Sequence, residues 1–322
     1  MIGGIGMDFS LSFNVVFPLF VYMFIGIAAR KMGMLDERTC KQMNSFNFKV
    51  LFGVNMFRNV FGARDSFSPE SVKYIFVSVG YTLAVFALFY FLIPLFWKER
   101  PRASCIIQGC YRGNSMLFAI PVVESLCGPE NSALASMCVS LVVPIYNILA
   151  VVLFETMRGR KVRIGPLLLN ILKNPLIIGA IAGGAAAAAN VFLGFEIPAS
   201  VMTPISVLSS MNSPLSLILL GAGLNFGSMK KDIRDLIFVC FMKLVAVPAG
   251  VAAICLALGY DGIPFISLFS IFCVPTAVSS YPMAEQMGGD GPFAAEVVAT
   301  TSLFSLATVF FWVAGLQAAG VI

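Results

Sequence analysis

Two apolar stretches of this chain, each long enough to cross a bilayer, are interrupted at corresponding points. The first, Gly109 to Gly128, reads GCYRGNSMLFAIPVVESLCG and holds Arg112, Asn114 and Pro121, which do not suit a lipid-facing helix. A proline removes one intrahelical hydrogen bond and crowds the preceding turn, so a break or kink is expected between Asn114 and Pro121. A shift of 161 residues places Asn114 on Pro275, Ser115 on Thr276, Pro121 on Pro282, Glu124 on Glu285 and Gly128 on Gly289. The same shift places Gly53 on Pro214, which extends the register to a second pair of segments. Irregular backbone at membrane depth is tolerated only where it lines a cavity or is buried in protein. Two interrupted segments in matching halves therefore point to a secondary transporter with its site at the repeat interface.

Composition agrees with a membrane chain. Of 322 residues, 59% are hydrophobic and 11% charged, against about 25% charged in a soluble domain. The apolar runs are long and do not alternate, which argues against a β-barrel. The eight cysteines lie mostly in apolar segments without a Cys-x-x-Cys pair, and histidine is absent. That pattern offers no metal site and implies no cofactor.

Ten spans are expected: 9–29, 40–61, 75–96, 103–126, 132–154, 167–192, 201–224, 233–258, 265–287 and 293–316. They divide into a first five-helix repeat, 1–157, and a second, 158–322, which must be inverted because each half has an odd number of spans. Nothing basic precedes the first span and Arg30 and Lys31 follow it, the reverse of a cleaved signal peptide. Loops one-two, three-four, five-six and seven-eight hold Arg30, Lys31, Arg38, Lys41, Lys98, Arg100, Arg102, Arg158, Arg160, Lys161, Arg163, Lys230, Lys231 and Arg234. The other side has Arg64 and Lys73, with Arg58 near a span end. By the positive-inside rule the first set is cytoplasmic and both termini face out of the cytoplasmic membrane.

Four cations, Lys49, Arg112, Lys173 and Lys243, fall within spans, while no carboxylate is expected near the middle of one. Glu124 and Glu285 lie ten residues beyond Asn114 and Pro275, about 15 Å of helical rise, and so near opposite membrane faces. Cationic side chains beside half-helix N-termini suit an anionic substrate and disfavour a cation-proton antiporter. The candidate substrate-binding residues are Arg112, Asn114, Ser115, Pro121, Pro275, Thr276, Asn55, Asn147, Asn212 and Ser213; Glu124, Glu285 and Lys243 are candidates for coupling. Asparagines within spans also serve as interhelical hydrogen-bond partners.

The Asn114 to Pro121 spacing followed by ESLCGPE resembles the Asn-Thr-Gly-Phe-x-Gly-x-Pro segment of the auxin efflux carrier family, in its prokaryotic malate- and malonate-permease-like branch. VPTAVSSYPMAEQMGGD, Val274 to Asp290, is similar to that family's second crossover segment, and SPLSLILLGAGL, Ser213 to Leu224, to its seventh span. Ser115 and Met116 replace the glycines usual after the asparagine, and Gly53 stands where span two often has proline. The resemblance implies an all-α, five-plus-five inverted repeat with crossed broken helices at spans four and nine. It also implies a scaffold from spans one, two, six and seven, a core from spans three to five and eight to ten that moves as an elevator, and a homodimer through the scaffold. The function implied is transport of a small carboxylate such as malate, malonate or an auxin-like acid, with no nucleic-acid partner. Two other readings stay open: a sodium-coupled symporter of the related bile-acid type, and a receptor or intramembrane enzyme. Without histidine the last would need a Ser-Lys dyad.

Overall fold

The computed structural model describes residues 9–62, 72–128, 131–158, 169, 171–224 and 229–322. Arg64, Arg160, Lys161 and Arg163, counted above for orientation, lie outside these residues, as does the beginning of the sixth expected span. All regular structure among the described residues is helical. In chain order the helices are α1 (Phe9–Lys31), α2 (Glu37–Phe46), α3 (Phe52–Gly62), α4 (Val72–Phe96), α5 (Arg100–Tyr111), α6 (Ser115–Cys127) and α7 (Ala133–Met157). Then follow α8 (Pro175–Leu193), α9 (Ala199–Gly223), α10 (Ile233–Phe241), α11 (Val247–Ala257), α12 (Gly262–Phe272), α13 (Ser280–Met287) and α14 (Gly291–Ala318). Single π turns, Asn47–Leu51 and Met242–Ala246, join α2 to α3 and α10 to α11 without interrupting the rod.

Six of these rods are long and apolar enough to cross a membrane: α4, α7, α8, α9, α14 and the continuous Ile233–Ala257. α6 and α12 are shorter apolar helices. α4 and α8 turn large apolar side chains outward, among them Phe76, Phe91, Ile181 and Phe192, as expected of helices whose solvent on one side is lipid. By contrast every residue from Ala103 to Tyr111 of α5 and from Phe265 to Phe272 of α12 is buried. The two interrupted stretches thus form the centre of a polytopic membrane protein.

Helix crossings on one side of the molecule are made by glycine. α1 packs on α9 and α3 on α8. A Cβ on Gly26 would meet the Ile218 carbonyl oxygen at 1.9 Å, and one on Gly179 the Gly53 carbonyl oxygen at 2.2 Å. Only a residue without a side chain lets two backbones approach this closely, and close approach replaces the hydrophobic drive that lipid cannot supply.

A polar cluster ties the ends of α5, α10 and α14 together. Arg102 pairs with Asp232 at 2.6 Å, Asp235 at 2.9 Å and Asp290 at 3.1 Å. Its guanidinium lies 3.4 Å from the centre of the Phe293 ring, and the Trp97 indole donates to Asp235 at 3.0 Å. Three carboxylates hydrogen-bonded to one planar fork hold its charged form firmly, so its pKa is raised although burial opposes this.

Candidate functional site

The first interruption falls slightly earlier than expected. α5 ends at Tyr111, residues 112–114 are non-helical, and α6 begins at Ser115 and continues through Pro121 to Cys127. Pro121 is therefore inside a helix, the seventh residue of α6, where it forfeits one hydrogen bond without ending the rod. Its counterpart Pro282 is the third residue of α13, within the first turn, where the missing N–H has no intrahelical partner to lose. The second interruption runs from Cys273 to Ser279.

The two interruptions meet. Gly113 and Thr276 form an isolated antiparallel bridge, and the Asn114 amide donates to the Pro275 carbonyl at 2.8 Å. Thr276 then satisfies two further groups: its hydroxyl donates to the Gly109 carbonyl at 2.8 Å, and its amide donates to the Thr301 hydroxyl at 3.2 Å. Ser115 donates to the Ile271 carbonyl at 2.8 Å. Each half-helix is thereby fastened to the other through backbone groups that the breaks had freed. Gly113 is required here, since a Cβ would lie 2.9 Å from Val274 Cγ2 and 3.1 Å from Lys243 Nζ.

Beside the bridge lies a cavity of about 80 Å³, lined among others by Phe52, Asn59, Tyr146, Ala277, Val278 and Ser279. Seven expected site residues line it as well: Asn55, Arg112, Asn114, Ser115, Asn147, Asn212 and Ser213. Pro275 and Thr276 do not reach it; they hold the bridge behind it. Pro121 is also absent from its walls, because the break it was expected to make lies seven residues earlier. Asn59 and Ser279 were missed in the sequence: the first follows Arg58 at a helix end, and the second carries no repeat signal, since the shift pairs it with Phe118.

The cavity is a donor-rich place. The cap residue Asn114 with the first residues of α6, Ser115 to Leu117, and the residues leading into α13, Ala277 to Ser279, form two of its walls. Helix N-terminal ends expose unpaired N–H groups and the positive end of the dipole. The Asn114 side-chain Nδ2 is buried there without a hydrogen-bond partner among the described residues. Arg112, 3% exposed, donates to Asn147 Oδ1 on α7, to the Ser279 hydroxyl at the start of α13, and to the Met283 sulfur. With its oxygen turned toward Arg112, the Gln108 amide accepts a further bond at 3.0 Å. No Asp or Glu stands in the described cavity wall.

On and beside the cavity wall formed by α3 and α9 runs a line of amides and hydroxyls. Asn55 donates to the Ser209 hydroxyl at 3.0 Å, Asn59 to Asn55 at 3.1 Å, and Asn47 to the Ser216 hydroxyl at 2.8 Å. Ser216 in turn donates to Asn212 at 3.4 Å. Asn59, Met116 and Val143 are shared with a second cavity of about 410 Å³ that reaches Arg58. A third, of about 820 Å³, lies elsewhere between Arg30, Lys41, Asn44, Tyr281 and Glu285.

The coupling candidates are placed far apart. Glu124, near the end of α6, accepts from the Ser132 hydroxyl at 3.4 Å in an exposed setting. Glu285 faces the third cavity. Lys243 is wholly buried on the π turn, behind the bridge and outside the 80 Å³ cavity. Of the four cations in expected spans, Lys49 and Lys173 are exposed, and only Arg112 and Lys243 are buried. Glu296, near the start of the tenth expected span, is completely buried in the second turn of α14.

The model of a family described as membrane transport protein matches residues 11–313. A protein of Rhizobium meliloti (strain 1021) named "Putative malonate transporter" is 26% identical over 318 residues, covering 92% of this chain and 93% of that one.

Proposed function

The chain belongs to the membrane transport protein family of the auxin efflux carriers, and from that premise we propose that it is a secondary carrier of a small carboxylate anion such as malonate or malate. The carrying observation is the 80 Å³ cavity, whose walls combine Arg112, the unpaired amide of Asn114 and two half-helix N-terminal ends with no carboxylate among the described residues. An anion supplies the counter-charge that such a site lacks. The name of the Rhizobium meliloti relative supports the same substrate class.

The arrangement we infer is ten spans in two inverted halves, 1–157 and 158–322, whose broken helices cross at the bridge. α1, α2, α3, α8 and α9 act as scaffold, and α4 to α7 with α10 to α14 act as a core that carries the bridge and cavity past it. The glycine crossings of α1 on α9 and α3 on α8 support a rigid scaffold, and the Arg102 cluster supports a core that moves as a unit. The cavity adjoins the Arg58 vestibule and shares no lining residue with the Arg30 and Lys41 vestibule, which corresponds to a state nearer to opening on the outer side. We place the protein in the cytoplasmic membrane with both termini outside, as a homodimer through the scaffold.

The test is counterflow in proteoliposomes preloaded with malonate, malate, succinate or indole-acetate, with sodium and pH gradients added one at a time. Exchange of malonate or malate, abolished by Asn114→Ala in a protein that still purifies folded, is the expected result. Exchange of none of the four acids would overturn the carboxylate assignment.

A further inference from the structure

Lys243 is the least accounted-for charge in the molecule. Its side chain is fully buried, and its ammonium has no hydrogen-bond partner among the described residues. An ionised amine held out of water needs compensation from its surroundings. The surroundings are specific. Nζ comes within 3.1 Å of where a Cβ on Gly113 would stand, so the ammonium touches the bridge itself. The same Cβ position lies 2.9 Å from Val274 Cγ2, so the neighbours of the ammonium are Gly113, just past the end of α5, and Val274, just past the end of α12.

Both neighbours lie just past C-terminal ends of half-helices. The last carbonyls of a helix are unpaired by its own hydrogen bonds and carry the negative end of its dipole. The crossing is thus electrically two-sided. N-terminal ends of α6 and the segment entering α13 face the cavity, while Lys243 lies on the other side, where the chain leaves α5 and α12, with no described acceptor within hydrogen-bond distance. Left alone, two negative helix ends in a dry interior would attract a cation from solution.

We propose that Lys243 is the resident cation of the crossing, a positioning residue that neutralises the C-terminal ends of α5 and α12 and fills the place where a bound metal cation would otherwise be needed. Its amine is tethered, so the crossing is assembled without an ion from solution, and sodium has no role in holding the site together. The flux readouts below rest on the transport reading given above; the stability readouts do not.

The experiment uses the full chain purified in detergent and in proteoliposomes. Melting temperature is measured at equal ionic strength in sodium, potassium and choline chloride, for the wild type, Lys243→Met and Lys243→Ala. The wild type is expected to melt at one temperature in all three salts. Lys243→Ala should melt lower and be restored by sodium or by propylammonium, but not by propanol, which fills the same space without charge. Lys243→Met, which keeps the volume, should lose at least tenfold in malonate counterflow rate. Sodium-specific stabilisation of the wild type would overturn the proposal, as would restoration of Lys243→Ala by propanol to the same extent as by propylammonium. Wild-type flux and melting in Lys243→Met would do so too. If the wild type exchanges no acid at all, the transport reading fails on its own, and the salt and amine arms still decide the role of Lys243.

Discussion

Arg112 has two separable jobs, and one series of substitutions distinguishes them. Its guanidinium fastens α5 to α7 through Asn147 and to α13 through Ser279, while its charge faces a cavity with no described carboxylate. A charge-assisted hydrogen bond contributes about 1.5–3 kcal/mol, so removing the fork should lower stability by a few such increments, less than their sum because the bonds share one group. The charge acts differently. A carboxylate seated about 5 Å from it gains about 3 kcal/mol at an effective dielectric near 20, which is roughly a hundredfold in Kd. Arg112→Lys keeps the charge and loses the planar fork; Arg112→Gln keeps some hydrogen bonding and loses the charge. The expected outcome is that both variants melt below the wild type, that Arg112→Gln weakens malonate binding about a hundredfold, and that Arg112→Lys stays within about tenfold of wild type. Kd would be read by calorimetry on purified protein, and melting by intrinsic fluorescence. Wild-type Kd in Arg112→Gln would refute the electrostatic reasoning and leave Arg112 as a fastener.

Three further outcomes follow from the same contacts. Thr276→Val keeps the shape but removes the hydroxyl that caps the Gly109 carbonyl; a loss of about 1–3 kcal/mol should appear as a lower melting temperature, and an unchanged one would mean that the bridge does not need this bond. Gly179→Val places a side chain against the Gly53 carbonyl at 2.2 Å, so α8 and α3 must separate; loss of folded yield by size-exclusion chromatography is expected, with Gly184→Val, whose nearest neighbour is 3.9 Å away, as the tolerant control. Asp36 caps α2 by accepting from the Thr39 amide at 2.6 Å, and hydrogen bonding from the Thr39 hydroxyl together with that amide holds its carboxyl below the ordinary value of 3.8. A carboxyl with a lowered pKa in the folded state stabilises above its unfolded value and loses that contribution as pH falls through the folded one. Asp36→Ala should therefore differ from wild type in melting temperature above about pH 4 and converge with it below; a difference that persists at lower pH would reject the cap as its source.

The sequence disclosed the kind of fold because polar and proline residues are conspicuous in an apolar run. Arg112, Asn114 and Pro275 mark the interruptions, and the 161-residue shift pairs them. Where the break begins was less legible. Pro121 is the more obvious breaker, yet α6 runs through it, and the chain opens instead at Gly113. The reason is long-range: the bridge to Thr276 needs a residue without a side chain, and nothing local to Gly113 announces that partner. The shift also pairs Ser115 with Thr276, whereas the antiparallel bridge sets Gly113 opposite Thr276. Matching spacing in sequence does not decide which residues touch; an antiparallel bridge brings offset positions into contact. The same limit hid Asn59 and Ser279 from the site, and it separated Lys243 from Arg112. In sequence both are cations in apolar segments. In space Arg112 lines the cavity where α6 and α13 begin, and Lys243 lies behind the bridge in a closed interior.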